Sequence, residues 1–307
     1  MPETQCCITG GIRRARTRVS GVRIEPIPGA SEKERKGGWT MTGESGQGGG
    51  NQSRDVLSEV RRWLGSQGYA LEYEAAEAFR QAGFVARQGQ AYRDGTTGKT
   101  RETDVVAIAE FPNATKRLVD LIVVVECKKS KHPWVVRRAR LDHGQQSWAP
   151  IASKLLGAEL GRHRTLEAYM PLGDPTGIDV VQAFNSSDDA ERGDAAYRAI
   201  SQAVAGARGA LRKAERSALV YPVVVLDAPL FTLSYDEGGS GQVDRLEEWG
   251  WARVLWSGSD EVQATAVDIV TRADLRGRAK VLHGEFEEIL QALPSGRDFR
   301  SPRSASF

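Results

Sequence analysis

The sequence predicts an α/β protein, because segments with a helical period alternate with short apolar runs that read as strands. Three observations carry this. Apolar residues recur at three- and four-residue spacing from Val56 to Ala82. Val119 to Cys127 is a nearly unbroken apolar run, the pattern of a strand covered on both faces. Asp189 to Ser217 is an Ala-rich segment of helix-forming composition, and further candidate strands follow it.

Taken in order, residues 1–53 mix Arg, Gly, Ser, Pro and Glu without a period and include Gly46-Gln47-Gly48-Gly49-Gly50. Such a segment buries too little apolar surface to offset its ordering entropy, so a disordered leader is expected. Lys36-Gly37-Gly38 is what a purine-rich ribosome-binding sequence would encode if translated, which makes Met41 a candidate true start. Val56, Val60, Trp63 and Leu64, then Leu71, Ala75, Ala78, Phe79 and Ala82, predict two helices or one broken helix ending at Gly83. Phe84 to Tyr92 and Thr103 to Ala109 read as the strands of a hairpin joined by a polar turn.

Past Pro133 the pattern turns helical, with Trp148, Ile151, Leu155 and Leu156 on one side. After the Ala-rich helix, strands are predicted at Leu219 to Leu226, Leu230 to Tyr235, Arg253 to Trp256 and Ala266 to Thr271. Glu285 to Leu293 reads as a closing helix stopped by Pro294, and 295–307 as a flexible tail. The globular region is thus 54–294, with a C-terminal α/β extension from about residue 170.

Composition excludes several classes. The formal charge of the 307 residues is +2, but residues 1–40 hold eight Lys/Arg against four Asp/Glu, and the remainder holds 34 against 36. The body is therefore slightly acidic, and any nucleic-acid site must be a local patch. Cys6, Cys7 and Cys127 form neither a disulfide framework nor a CxxC metal spacing. No apolar run approaches the roughly 20 residues of a membrane span, and no signal-peptide core is present. A cytoplasmic protein without a membrane partner is expected.

The chemistry concentrates between Leu71 and Trp134. A helix carrying Glu72 and Glu74 leads into the hairpin, whose second strand contains Arg101-Glu102-Thr103-Asp104, and the third strand ends in Glu126-Cys127-Lys128-Lys129. The strand period of two puts Glu126 and Lys128 on one face, and likewise Glu102 and Asp104. Converging carboxylates beside a lysine suit a hard divalent cation, Mg²⁺ or Mn²⁺. Asp104 and Glu126 supply carboxylates, and the Cys127 main-chain carbonyl is a further candidate ligand. Lys128 is placed to orient a water or to stabilise a pentavalent phosphorus.

These residues resemble the restriction-endonuclease-like superfamily and its PD-(D/E)xK motif. Asp104 matches the first acid, Glu126-Cys127-Lys128 the (D/E)xK element, and Glu72 the acid that many members add from the preceding helix; periodicity alone leaves Glu74 open as an alternative. Thr103 stands where the family has proline. The similarity covers about residues 55–160. It implies a mixed central sheet flanked by helices, and a Mg²⁺-dependent nuclease hydrolysing phosphodiester bonds, with DNA favoured over RNA. The alternative is a nucleic-acid-binding or regulatory module of the same fold that no longer cuts. A homodimer is left open, and no residue selects among defence, restriction and repair.

Lys128, Lys129, Lys131, Arg137, Arg138 and Arg140 form the local basic patch, and Lys129, Lys131, Arg137 and Arg138 are candidate phosphate contacts with Gln145 and Gln146 on the following helix. Trp134 reads as core packing or as a base-stacking aromatic. Thr97-Gly98-Lys99-Thr100 imitates the end of a phosphate-binding loop, but Arg93 occupies the position where that motif needs glycine. The four histidines lack zinc spacing. Asp227, at a strand end before Ala228-Pro229, reads as a turn former.

Overall fold

The computed structural model describes residues 49–95, 97–112, 118–138, 151–152, 176–184, 194–235, 243–257 and 265–292. The first helices are α1 (Gly49–Ser66) and α2 (Tyr69–Gln81), followed by β1 (Val85–Arg93), β2 (Thr100–Pro112) and β3 (Leu118–Lys129). Then come β4 (Trp134–Arg138), β5 (Ile151–Ala152), β6 (Thr176–Gln182), α3 (Ala195–Lys213), β7 (Ala218–Asp227), β8 (Leu230–Tyr235), β9 (Val243–Glu248), β10 (Trp251–Trp256), β11 (Thr265–Thr271) and α4 (Leu275–Ala292). The protein is α/β with one large mixed sheet. Ten strands follow the hydrogen-bonded order β1-β2-β3-β7-β11-β10-β6-β4-β8-β9, and the short β5 pairs with β7 off that path.

β1, β2 and β3 form an antiparallel meander, and β7 and β11 are added in parallel to β3. One face of this part carries α2 and α4, whose Leu71, Phe79, Leu282 and Phe286 pack on Val105, Val123, Val125, Tyr221 and Val223. The other face carries α3, which packs on Val124, Val220 and Val224 and on Trp134. A strand covered on both sides needs apolar residues at every position, which is why Leu121 to Val125 of β3 and Val223 to Leu226 of β7 are unbroken runs of Val, Leu and Ile. Residues beyond 170 therefore supply the strand next to β3 within the same sheet.

Several elements differ from the sequence reading. Directly after Pro133, Trp134–Arg138 is a strand, because Trp134, Val135 and Val136 fit a pleated surface and pair with β6 and β8; Trp148, Leu155 and Leu156, on which the expected helix rests, lie outside the described residues. Ile151 is likewise in a short strand. β6 and β9 carry no strong apolar alternation and were not expected from the sequence. α4 begins ten residues before Glu285, at Leu275, since Leu275, Ala279 and Leu282 already carry its buried stripe. β4 and β8 continue from β3 and β7 through short links, with Trp134 N–H donating to Pro229 O at 3.0 Å, yet they lie far along the sheet path. The sheet thus curls back on itself around α3.

Local chemistry sets the boundaries. α2 stops where Gly83 takes φ +99°, and the Phe84 N–H closes back on Phe79 O at 3.0 Å. Thr97-Gly98-Lys99 is the turn of the β1–β2 hairpin, in which Asp94 N–H donates to Lys99 O and Gly98 N–H to Asp94 O. Asp194 caps α3 by accepting from the Ala196 and Tyr197 N–H groups. Among the described residues no helix is long and apolar enough to cross a membrane.

Candidate active site

β2 and β3 pair from Pro112↔Leu118 to Val105↔Val125 and then part. Where β2 would have continued opposite Glu126 and Cys127, the Asp104 carboxylate takes over: its Oδ2 accepts from the Cys127 N–H at 2.6 Å. The N–H and C=O of a strand residue point to the same side, so the Cys127 carbonyl also faces this gap. Across the hairpin Gln88 pairs with Val105 and Gln90 with Thr103, which sets Gly89 opposite Asp104. Gly89 adopts φ +64°, and a Cβ there would meet Glu102 Oε1 at 2.7 Å, so the kink requires glycine. The kink also breaks the alternation of β2. Val105 packs on the α2 and α4 face, while the Thr103 methyl lies against Gly206 of α3. The expected sharing of one face by Glu102 and Asp104 rests on a period that does not run undisturbed through this point.

Glu126 and Lys128 do share a face. Lys128 Nζ donates to Glu126 Oε1 at 2.6 Å, and both residues stand in register with Val224 and Leu226 on the α3 side. Cys127, out of phase, packs against the α2 core as a half-buried free cysteine, and burial pushes its thiol well up. Glu72 comes from the first turn of α2 on the opposite face. Glu74 is engaged elsewhere, paired with Arg272 after β11.

The electrostatics tie the three acids together. Glu126, only 6% exposed, has its carboxyl raised to about 7, first by desolvation and then by Asp104, with Glu72 adding and Lys128 opposing. Desolvation also raises Asp104, against the Cys127 N–H and Lys128, which lower it. Glu72 is raised by burial and then by Asp104 and Glu102. Such a set is short of positive charge, and its donors are the hard oxygens that Mg²⁺ and Mn²⁺ take. Among the described residues no three such side chains stand close enough to form a ready metal cluster.

The cations of the basic stretch are dispersed. Lys129 Nζ donates to Gly65 O at 3.1 Å at the end of α1, and Lys131 is exposed. Arg137 on β4 is ion-paired with Asp179 of β6, and Arg138 is half-buried on the same strand. Trp134 is fully buried in the α3 core. Arg140, Gln145 and Gln146 lie outside the described residues.

Two features were not singled out in the sequence. A cavity of about 780 Å³ opens at the C-terminal ends of β7 and β11, lined by Glu74, Asp227, Trp249, Arg272 and Arg276 among others. Glu72, Asp104, Glu126 and Lys128 do not line it; Asp227 links the two places, standing in register with Lys129 and facing Arg272 at 3.4 Å. The other is a buried ion network. Asp268, with no exposed surface, accepts from Arg253 Nε at 2.8 Å, Arg278 Nη2 at 2.6 Å and Tyr221 Oη at 2.8 Å. Burial pushes Asp268 up, and Arg253 and Arg278 outweigh it and hold the carboxyl below its ordinary value. The sequence signal was a charge in mid-strand, Asp268 within Ala266 to Val270 and Arg253 within Trp251 to Trp256.

No protein-family model matches the chain, and no curated protein or solved structure matches it.

Proposed function

We propose that the protein is a metal-dependent nuclease of the restriction-endonuclease-like kind, hydrolysing phosphodiester bonds in nucleic acid, with DNA favoured. The observation that carries this reading is the gap where β2 leaves β3: Asp104 is held there by the Cys127 N–H, and Glu126, with its carboxyl near 7, is bonded to Lys128. A buried carboxylate held beside a second acid and a lysine is a costly arrangement that a cation-binding site accounts for. The order of helix, three-strand meander and, after the intervening β4, β5 and β6, helix and parallel strand is compatible with a mixed sheet flanked by helices.

Asp104, Glu126 and the Cys127 carbonyl would hold Mg²⁺ or Mn²⁺, with Glu72 in support. When bound, the cation would supply charge stabilisation at a phosphoryl oxygen and ease ionisation of a water. The chain's own groups do the rest. Lys128 Nζ, held beside Glu126, orients the attacking water or carries positive charge to the non-bridging oxygens. Lys129 and Lys131 would contact flanking phosphates without reading bases.

One observation favours the second reading, a binding module that does not cut: Glu126 already has Lys128 as its partner, and no three acids stand together among the described residues. The full chain, assayed on single- and double-stranded DNA and RNA with Mg²⁺ or Mn²⁺, separates the two. Asp104→Asn keeps an acceptor for the Cys127 N–H while removing the charge, and Lys128→Ala removes the ammonium. Both should lower cleavage by at least about 10²-fold, the size of a lost charge-stabilising group. Cleavage that survives both substitutions refutes the assignment; tight nucleic-acid binding with no cleavage under either metal establishes the binding module.

A further inference from the structure

The apolar stripe of α1 is turned to water. Val56, Leu57, Val60, Trp63 and Leu64 are between 42% and 57% exposed, on a helix whose spacing alone would have assigned them to a core. A helix of 18 residues gains little stability by itself, and a contiguous exposed apolar patch marks a surface that another molecule covers. We propose that this face pairs with the same face of a second copy of the chain, as a parallel helix pair about a two-fold axis running along α1.

The flanking charges select that partner. At 100° per residue, Glu59 lies on one side of the stripe and Arg61 on the other, both exposed and neither ion-paired among the described residues. A parallel two-fold pair brings Glu59 of one copy beside Arg61 of the other on both flanks. An antiparallel pair would set Glu59 against Glu59 and Arg61 against Arg61. Charges that flank an apolar seam choose partner and orientation in this way. A nucleic-acid or membrane surface would instead ask for cations on both flanks.

The pairing stands without the nuclease reading, but its consequence rests on that reading. The C-terminal end of α1 is tied to the candidate site, since Lys129 Nζ donates to Gly65 O and the chain passes through Gly68 into α2 and Glu72. A parallel pair therefore places both copies' sites at the same end of the helix pair, as cutting both strands of a duplex would need.

Sedimentation velocity on the full chain is the test, with circular dichroism to show that each variant is folded. The wild type should sediment as a dimer and Val60→Glu as a folded monomer. Glu59→Arg should weaken self-association by about tenfold through repulsion on both flanks, and the exchange Glu59→Arg with Arg61→Glu should restore it. A wild type that stays monomeric at all concentrations, or a Val60→Glu protein that stays dimeric, overturns the pairing. Equal weakening by the single and the exchanged variants overturns the parallel orientation. If the sedimentation results hold while no cleavage is found, the nuclease reading alone fails.

Discussion

Glu126→Gln should make the protein more stable while removing its proposed activity. The Glu126 carboxyl is raised from an ordinary 4.5 to about 7 because it is buried beside Asp104 and Glu72 with only Lys128 in compensation. A carboxyl whose folded value lies above its unfolded value favours the fold only while protonated. Its contribution is full below pH 4.5 and is lost as pH rises through about 7. At pH 8, with both states ionised, holding the charge there costs about 3 kcal/mol. The amide of Gln has nearly the same shape and no charge. Denaturant unfolding should therefore give equal stabilities for wild type and Glu126→Gln below pH 4.5, and a variant about 3 kcal/mol more stable at pH 8. Mg²⁺ should narrow the difference at pH 8 by stabilising the wild type through mass action, and should leave the variant unmoved. A wild type at least as stable as Glu126→Gln at pH 8 would refute the argument, because Glu126 would then be comfortably paired.

Other perturbations test the scaffold. Asp268→Asn leaves Arg253 and Arg278 buried without their counter-charge and should destabilise the fold by about 3–5 kcal/mol in denaturant titrations; a change under about 1 kcal/mol would mean the network is dispensable. Gly209→Ala puts a Cβ 2.5 Å from the Tyr92 ring, where α3 presses on β1, and should cost about 1–3 kcal/mol with a matching fall in Tm. The same substitution at Gly277, where a Cβ would have open space, should be neutral or slightly stabilising, and serves as the control.

The placement of the candidate site residues was easier to read from the sequence than the sheet was. The acids and Lys128 declared themselves because charges at the end of an apolar strand need a reason, and the alternation in β3 gave the shared face of Glu126 and Lys128 directly. Residue pattern could not choose between Glu72 and Glu74. That distinction depends on Arg272, nearly 200 residues away, which holds Glu74. Nor could it show the kink at Asp104, which needs the pairing of β1 with β2 to bring Gly89 opposite. The five residues of β4 are too few to show a period, and only their pairing with β6 and β8 makes them a strand. The stripe of α1 misled in another way: helical spacing reports an apolar face without saying which molecule covers it.

The parting of β2 and β3 explains why the acids are both strained and tolerated. Had β2 continued in register, a main-chain carbonyl would have satisfied the Cys127 N–H, and the strand ends would have been an ordinary neutral ladder. The kink that Gly89 permits turns β2 aside, and a buried N–H without an acceptor would then cost about 1–3 kcal/mol. Asp104 removes that cost by accepting from Cys127, and in doing so brings a carboxylate beside Glu126, raising its neighbour's affinity for a proton. The hydrogen bond that completes the backbone is thus also the contact that fixes a charge at the gap. Asp104 is anchored by structure, Glu126 carries the electrostatic strain, and Lys128 relieves only part of it, which leaves a pocket of negative potential that a divalent cation would complete.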